Sequence, residues 1–328
     1  MNRKQRLASA LAVCMSAAAI FGSCGKADKD TGKNGKMLLT ISKMDTFRRT
    51  LADGAKKAAS EQGITLEVAD ALGVVENQVE QIQKAAAEGC DAILCGAIDT
   101  DTAVELKASA GELPIIFVNS RPDEKYLEKD AYMYVGSDDG TAGQFQAEYV
   151  LEKLASKSEI NVMLIKGPVG HSATKGRTKG VKKAFAESGK TVNYVFEDNA
   201  DWSTEKAADL FSVFLQTGKP LDCVICNNDA MALGIVEACK KAGMDPGSIL
   251  IIGVDATADG CAAIKNGEMA CTIFQPGPGQ GRAAVEAAAA VAAGGSAEDL
   301  EGVSEDGKYV WVPFEKVDSS NVSKYLTE

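Results

Sequence analysis

The chain has 328 residues, 45% of them hydrophobic and 25% charged, which is enough apolar material for two ordinary domains. Its formal net charge is -11; residues 1–23 hold three bases (Arg3, Lys4, Arg6) and no acid, so without them 32 bases face 46 acids, or -14. A surface so acidic repels phosphate backbones and excludes nucleic acid as a partner.

The N-terminus reads as a targeting segment. Met1 to Arg6 is basic and Leu7 to Phe21 is apolar. That run is too short for an ordinary membrane span and matches the core of a signal peptide. Phe21-Gly22-Ser23-Cys24 then resembles a bacterial lipobox, which implies removal of residues 1–23 and acylation of Cys24, although Phe21 stands where leucine is usual. Residues 24–36 are polar and glycine-rich, the composition of a flexible tether.

From Met37 onward, short apolar runs alternate with helical patterns. The predicted strands are 37–42, 64–69, 91–95, 114–118, 132–136, 160–165, 191–196, 222–226, 249–254 and 269–274. Between them, Val75, Val79, Ile82 and Ala86 recur at helical spacing over 74–88, and Ala207, Leu210, Phe211 and Phe214 over 204–216. Repeated β-α order implies parallel sheets with right-handed crossovers. Ten strands exceed one compact core, so two sheets in two lobes are expected. A late helix over 277–293 followed by a final strand over 309–313 implies that the chain crosses between the lobes more than once.

Seven cysteines remain once Cys14 and Cys24 are set aside: Cys90, Cys95, Cys223, Cys226, Cys239, Cys261 and Cys271. Most lie inside apolar patterns and read as buried thiols. Cys223 and Cys226 have the spacing of a metal pair. In a strand, however, residues three apart face opposite ways and cannot grip one ion.

Three of the strand candidates end in polar clusters. One run leads from Leu164 to His171, one to Asn227-Asn228-Asp229, and one to Asp255. Ligands of open α/β sheets sit outside the carboxyl ends of the strands, so these residues mark a binding site. Amides, carboxylates and the single histidine suit holding a polyhydroxylated molecule. They do not suit breaking one. No nucleophile elbow, phosphate loop or dinucleotide spacing accompanies them, and Asp28 to Asn34 imitates a calcium loop without its terminal glutamate. No catalytic residue, cofactor or metal is therefore expected.

Several stretches together resemble periplasmic-binding-protein-like (type I) sugar receptors of ABC transporters, with the galactose/glucose-binding group most similar. They are Lys43 to Phe47, Tyr134 to Asp138, Lys166 to His171 with Arg177, Asn227 to Gly234, and Gly253 to Ala256. The resemblance covers nearly all of 37–328. It implies an α/β fold of two doubly wound parallel-sheet lobes joined by a multi-strand hinge. The N-terminal lobe would comprise 37–137 plus 277–310, and the C-terminal lobe 138–276 plus 311–328. Crossings would lie near Ser137, Pro276 and Val310.

The same resemblance carries ligand-binding roles onto Asp45, Phe47, Asn119, His171, Arg177, Trp202, Asn228, Asp255 and Gln275. Phe47 and Trp202 would cover the two faces of a pyranose while the others ring its edge. Each also has a plainer reading: Asp45 and Asn228 suit helix caps, Phe47 suits a core, and Arg177 suits a solvated helix face. Ala173 stands where hexose binders of this group carry aspartate, and only Ala155 to Ser158 occupies the place of the group's calcium loop.

The function expected is capture of a monosaccharide, a galactose- or glucose-like hexose, by a monomeric, lipid-anchored extracytoplasmic protein that delivers it to an ABC permease. The alternative is a sugar-sensing partner of a chemoreceptor or histidine kinase. A repressor effector domain fits poorly with the signal segment, and an enzyme fits poorly with the residue types.

Overall fold

The computed structural model describes residues 35–326. The signal segment, Cys24 and nearly all of the tether lie outside the described residues, as do the last two residues. The first half of the chain runs β1 (Lys36–Ile41), α1 (Thr46–Glu61), β2 (Thr65–Asp70), α2 (Val75–Ala87), β3 (Ala92–Gly96), α3 (Ala103–Ala110), β4 (Ile115–Val118) and β5 (Tyr132–Gly136). The second half runs α4 (Asp139–Lys153), β6 (Glu159–Lys166), α5 (Ser172–Glu187), β7 (Thr191–Asn199), α6 (Thr204–Leu215), β8 (Cys223–Cys226), α7 (Asp229–Lys241), β9 (Leu250–Ile252), α8 (Ala258–Lys265) and β10 (Cys271–Phe274). It closes with α9 (Gly277–Ala292), β11 (Tyr309–Trp311) and β12 (Glu315–Asp318).

The strands form two six-stranded sheets, ordered β11-β5-β4-β3-β1-β2 and β12-β10-β9-β8-β6-β7. The orders are equivalent. Each reverses direction beside its first strand, between β1 and β3 and between β6 and β8, which is where ligands sit in doubly wound folds. The chain leaves the first sheet after β5, returns before α9, which packs on β3, β4 and β5, and crosses again between β11 and β12. Ser137 Oγ, in the first crossing, donates to Val312 O in the third at 2.5 Å and accepts from Gln280 Nε2 of α9 at 2.9 Å.

Both sheets are covered on both faces, which is why their strands read as continuous apolar runs. Met37, Leu39 and Ile41 of β1 enter one core cluster and Leu38 enters another. Cys223 and Cys226 likewise fall in separate clusters on opposite faces of β8, and all seven cysteines named above are buried and free.

The structure corrects the sequence reading at the end of the chain. The expected strand over 309–313 stops at Trp311, although Val312 N still donates to Gly136 O. A further strand, β12, follows and runs antiparallel to β10. It is four residues long, mostly charged, and buries only Val317, as an edge strand can. Its sequence carries no alternation long enough to reveal it.

Candidate functional site

The nine residues singled out from sequence line one cavity of about 310 Å³, counting the part open to solvent, and Arg48 and Ala173 complete its wall. The segments that follow the strands bring them there. Asp45 and Phe47 come from the start of α1, Asn119 follows β4, His171 and Arg177 come from α5, and Trp202 lies between β7 and α6. Asn228 precedes α7, Asp255 follows β9 and Gln275 follows β10.

Three of these, Asn119 (φ 64°), Trp202 (φ 64°) and Asp255 (φ 116°), hold positive φ, which L-residues rarely adopt and which asparagine and aspartate tolerate better than tryptophan. Such strain persists where the surroundings fix it, and it gathers at functional sites. Here it turns two polar side chains and an indole toward the same space.

Arg177 organises the interior. It is 3% exposed, and Nε donates to Asp139 Oδ1 at 3.0 Å, Nη1 to Asn227 O at 2.6 Å, and Nη2 to Gln275 Oε1 at 2.8 Å. Asp255 Oδ1 lies 3.7 Å from Nη1, an ion pair rather than a hydrogen bond. Burial raises the Asp255 carboxyl well above its ordinary range; Arg177 opposes the shift and the Asp229 and Asp45 charges add to it. Asp229, directly behind, accepts from Thr272 Oγ1 at 2.6 Å, Thr257 N at 2.8 Å and Thr257 Oγ1 at 3.2 Å. Burial still pushes it up to about 6.

His171 caps α5, its Nδ1 accepting from Ala173 N at 3.2 Å. That contact assigns the proton to Nε2, which stands 3.4 Å from Ser120 Oγ. Burial, reinforced by Arg48, Arg177 and Lys175, holds this imidazole down to about 3. It is a neutral donor and acceptor, not a cation.

The His171 ring meets Trp202 edge-on at 5.4 Å and 84°. Trp202 crosses Gly167 so closely that a Cβ there would stand 2.2 Å from its Cη2. On the other side Phe47 is half-buried and leans on the core of the first sheet, so its core reading and its place in the cavity are both realised. Trp311 lies outside the cavity lining and stacks on Tyr309 at 4.9 Å and 8°.

Asp45 and Asn228 do cap helices: Asp45 Oδ1 accepts from Arg48 N at 2.7 Å and Asn228 Oδ1 from Met231 N at 3.0 Å. Arg177 is not on a solvated face. Sequence reading missed Arg48, although its place three residues after a capping aspartate is a usable signal. It also missed Asp139, and it gave no sign that Asn227 and Asp229 of the marked cluster would support the site from behind, a role that depends on burial. Among the described residues no group of three or more His, Cys, Asp or Glu could hold a metal ion.

The periplasmic binding protein domain family matches residues 37–296. A candidate rhizopine-binding protein of Rhizobium meliloti is 32% identical over 286 residues, covering 86% of this chain and 89% of that protein. A D-galactose/methyl-galactoside binding periplasmic protein of Haemophilus influenzae is 28% identical over 328 residues, covering 95% and 98%. The solved structure of an ABC transporter solute binding protein from Bacillus halodurans C-125, with bound myo-inositol, is 29% identical and covers 90% of this chain and 99% of that one, with a TM-score of 0.79. With its two doubly wound sheets, this protein belongs to the periplasmic binding protein family and is a solute-binding protein of the type I architecture, not an enzyme.

Proposed function

We propose that this protein captures a single polyol ring in the cavity between its two sheets and delivers it to an ABC importer. The ring is a galactose- or glucose-like hexose or a cyclitol of the same size. The observation that carries the reading is the joint lining of one cavity by Phe47, Trp202, Asn119, Asn228, His171 and Asp255. A pyranose or cyclitol has apolar C–H faces and a rim of hydroxyls, which suit aromatic rings and planar polar groups respectively. Hydrogen bonds to charged groups contribute about 1.5–3 kcal/mol each, so a few reach the roughly -8 kcal/mol of micromolar binding after ordering costs. The relatives that bind galactosides and myo-inositol support a ring of this size.

In this reading the two lobes, 37–137 plus 277–310 and 138–276 plus 311–328, close on the ligand by hinge motion. The mature protein is a monomer held to the membrane by acylated Cys24. Calorimetric titration with D-galactose, D-glucose, D-allose, D-ribose and myo-inositol tests the ligand. Absence of any affinity tighter than about millimolar sinks the assignment. Intact-mass analysis of membrane-extracted protein tests the anchor, since a mature chain beginning at Cys24 must carry acyl mass that Cys24→Ala lacks.

A further inference from the structure

We propose that Arg48 presents a second guanidinium, beside that of Arg177, that reads the ligand, and that Asp45 is its positioning residue. The proposal rests on the polyol-binding reading above and refines it.

Each nitrogen of Arg177 is already engaged by protein, through Asp139, the Asn227 carbonyl and Gln275. Three of its five N–H groups are thus spent on protein and Nη1 also pairs with Asp255, so it offers a ligand less than Arg48 does while it aims Gln275 and balances Asp139 and Asp255. Arg48 is in the opposite condition. Its Nη1 donates to Asp45 Oδ2 and, at 3.5 Å, to Lys43 O. Its Nε and Nη2 have no protein partner among the described residues. Yet the side chain is only 12% exposed and lines the cavity. It stands where that cavity meets an outer groove bordered by Asp99, Val169 and Ser203.

The unpartnered edge of this cavity-lining group is open to water, and ligand oxygens entering the cavity can take that water's place. The chemistry of the free edge sets what those oxygens must be. The Nε and Nη2 hydrogens lie parallel in one plane, a fork that fits two adjacent oxygens and that a lysine cannot reproduce. The class recognised is therefore a vicinal diol on the ring edge facing α1.

Asp45 takes a different part from the one its residue type suggests. Oδ1 caps the Arg48 backbone, Oδ2 holds the Arg48 side chain, and the carboxylate is 43% exposed. Both oxygens serve Arg48, so Asp45 acts through it.

The experiment titrates wild type, Arg48→Met and Arg48→Lys with D-galactose, D-glucose, D-allose, D-ribose and myo-inositol, and with each monodeoxy derivative of whichever binds. Removing two charged hydrogen bonds should weaken Arg48→Met by about tenfold or more, with Arg48→Lys recovering only part of the loss. Deleting either hydroxyl of one vicinal pair should cost wild type affinity and cost Arg48→Met almost nothing. Binding by Arg48→Met within about twofold of wild type, or an equal loss for every derivative, overturns the proposal. If Arg48→Met does not fold, the derivative profile of Arg48→Lys decides in the same way. If wild type binds none of D-galactose, D-glucose, D-allose, D-ribose and myo-inositol, the function reading falls and this inference with it. If wild type binds and the Arg48 variants are unaltered, only this inference falls.

Discussion

The two walls of the cavity are built on equivalent sheets but in unlike ways. The wall after β6, β8, β9 and β10 is a closed network in which Arg177 gathers Asp139, Asn227, Gln275 and Asp255, with Asp229 anchored behind by two threonines. The wall after β1 and β4 is held by local bonds of α1, its carboxylate half-exposed and its guanidinium partly unpartnered. Two hydrogen bonds tie the walls across the cleft: Ser120 Oγ with His171 Nε2, and Arg121 N donating to Ser172 Oγ at 3.0 Å. One wall is set before any ligand arrives. The other is the part that ligand contact can complete.

The largest test of that contrast is Arg177→Met against Arg48→Met. The first leaves Asp139 and Asp255 buried without their cation, and breaking a buried pair costs about 3–5 kcal/mol. The second removes an ion pair with a half-exposed partner within one helical turn, worth about 1 kcal/mol or less. Urea unfolding should therefore separate the two by at least about 2 kcal/mol, and adding Asp139→Asn should restore part of the Arg177→Met loss. Equal destabilisation would mean that the walls are alike after all.

Much of this was legible in the sequence because strand ends and topology decide where side chains gather. The runs ending at His171, Asn228 and Asp255 announced the second wall, and the two-sided burial of the sheets explains why the strands were so plain. What escaped, Asp139 altogether and the buried supporting role of Asp229, depends on burial that no local pattern encodes. Asp229 and Asp139 sit in the first turns of α7 and α4, where an aspartate usually reads as a surface cap. Their enclosure comes from Thr272, Thr257 and Arg177, which are distant in the chain. β12 escaped for the opposite reason, being too short and too charged to show a period.

The aromatic pair offers a second test. Trp202→Ala removes a ring that faces His171 and spans Gly167, and affinity for the bound polyol should fall at least about tenfold. Phe47→Ala should lose less affinity for a comparable loss of stability, because half of its surface already serves the core of the first sheet. Calorimetry beside thermal melts checks both. A larger binding loss for Phe47→Ala would reverse the roles of the walls.

Titration sharpens the contrast further. His171, held down to about 3, stays neutral in the folded protein while the unfolded chain protonates below about 6.5. Its contribution is complete above that value and drains away as pH falls toward 3, by at most about 1.4 kcal/mol per unit. Asp229, pushed up to about 6, and Asp255, also raised, act with the opposite sign: their contribution is present at low pH and is lost as pH rises through the folded value. Between pH 4 and 6 the two effects oppose each other. His171→Asn keeps a helix-capping side chain but removes the imidazole. Its unfolding free energy should thus decline more steeply than that of wild type as pH rises from about 4 to about 6. Parallel profiles would show that the histidine titrates freely and that the second wall is not closed to water.

The smallest expected effect comes from two glycines that each underlie an aromatic ring. A Cβ on Gly167 would stand 2.2 Å from Trp202 Cη2 and 2.5 Å from Thr174 Oγ1. On Gly277 it would stand 2.3 Å from Thr50 Oγ1 but 3.2 Å from Phe47 Cε2. In the first case the ring itself must move, and it is wedged between His171 and the core of the second sheet. In the second the exposed Thr50 side chain can change rotamer first, giving up its 2.8 Å hydrogen bond to Phe47 O and leaving the phenyl ring close to its place. Gly167→Ala should therefore weaken binding by about 1 kcal/mol, or about fivefold, with Gly277→Ala within about twofold of wild type. If the two glycines cost the same, the indole is not fixed by its wall, and the contrast between a preset wall and a completing one loses its strongest geometric support.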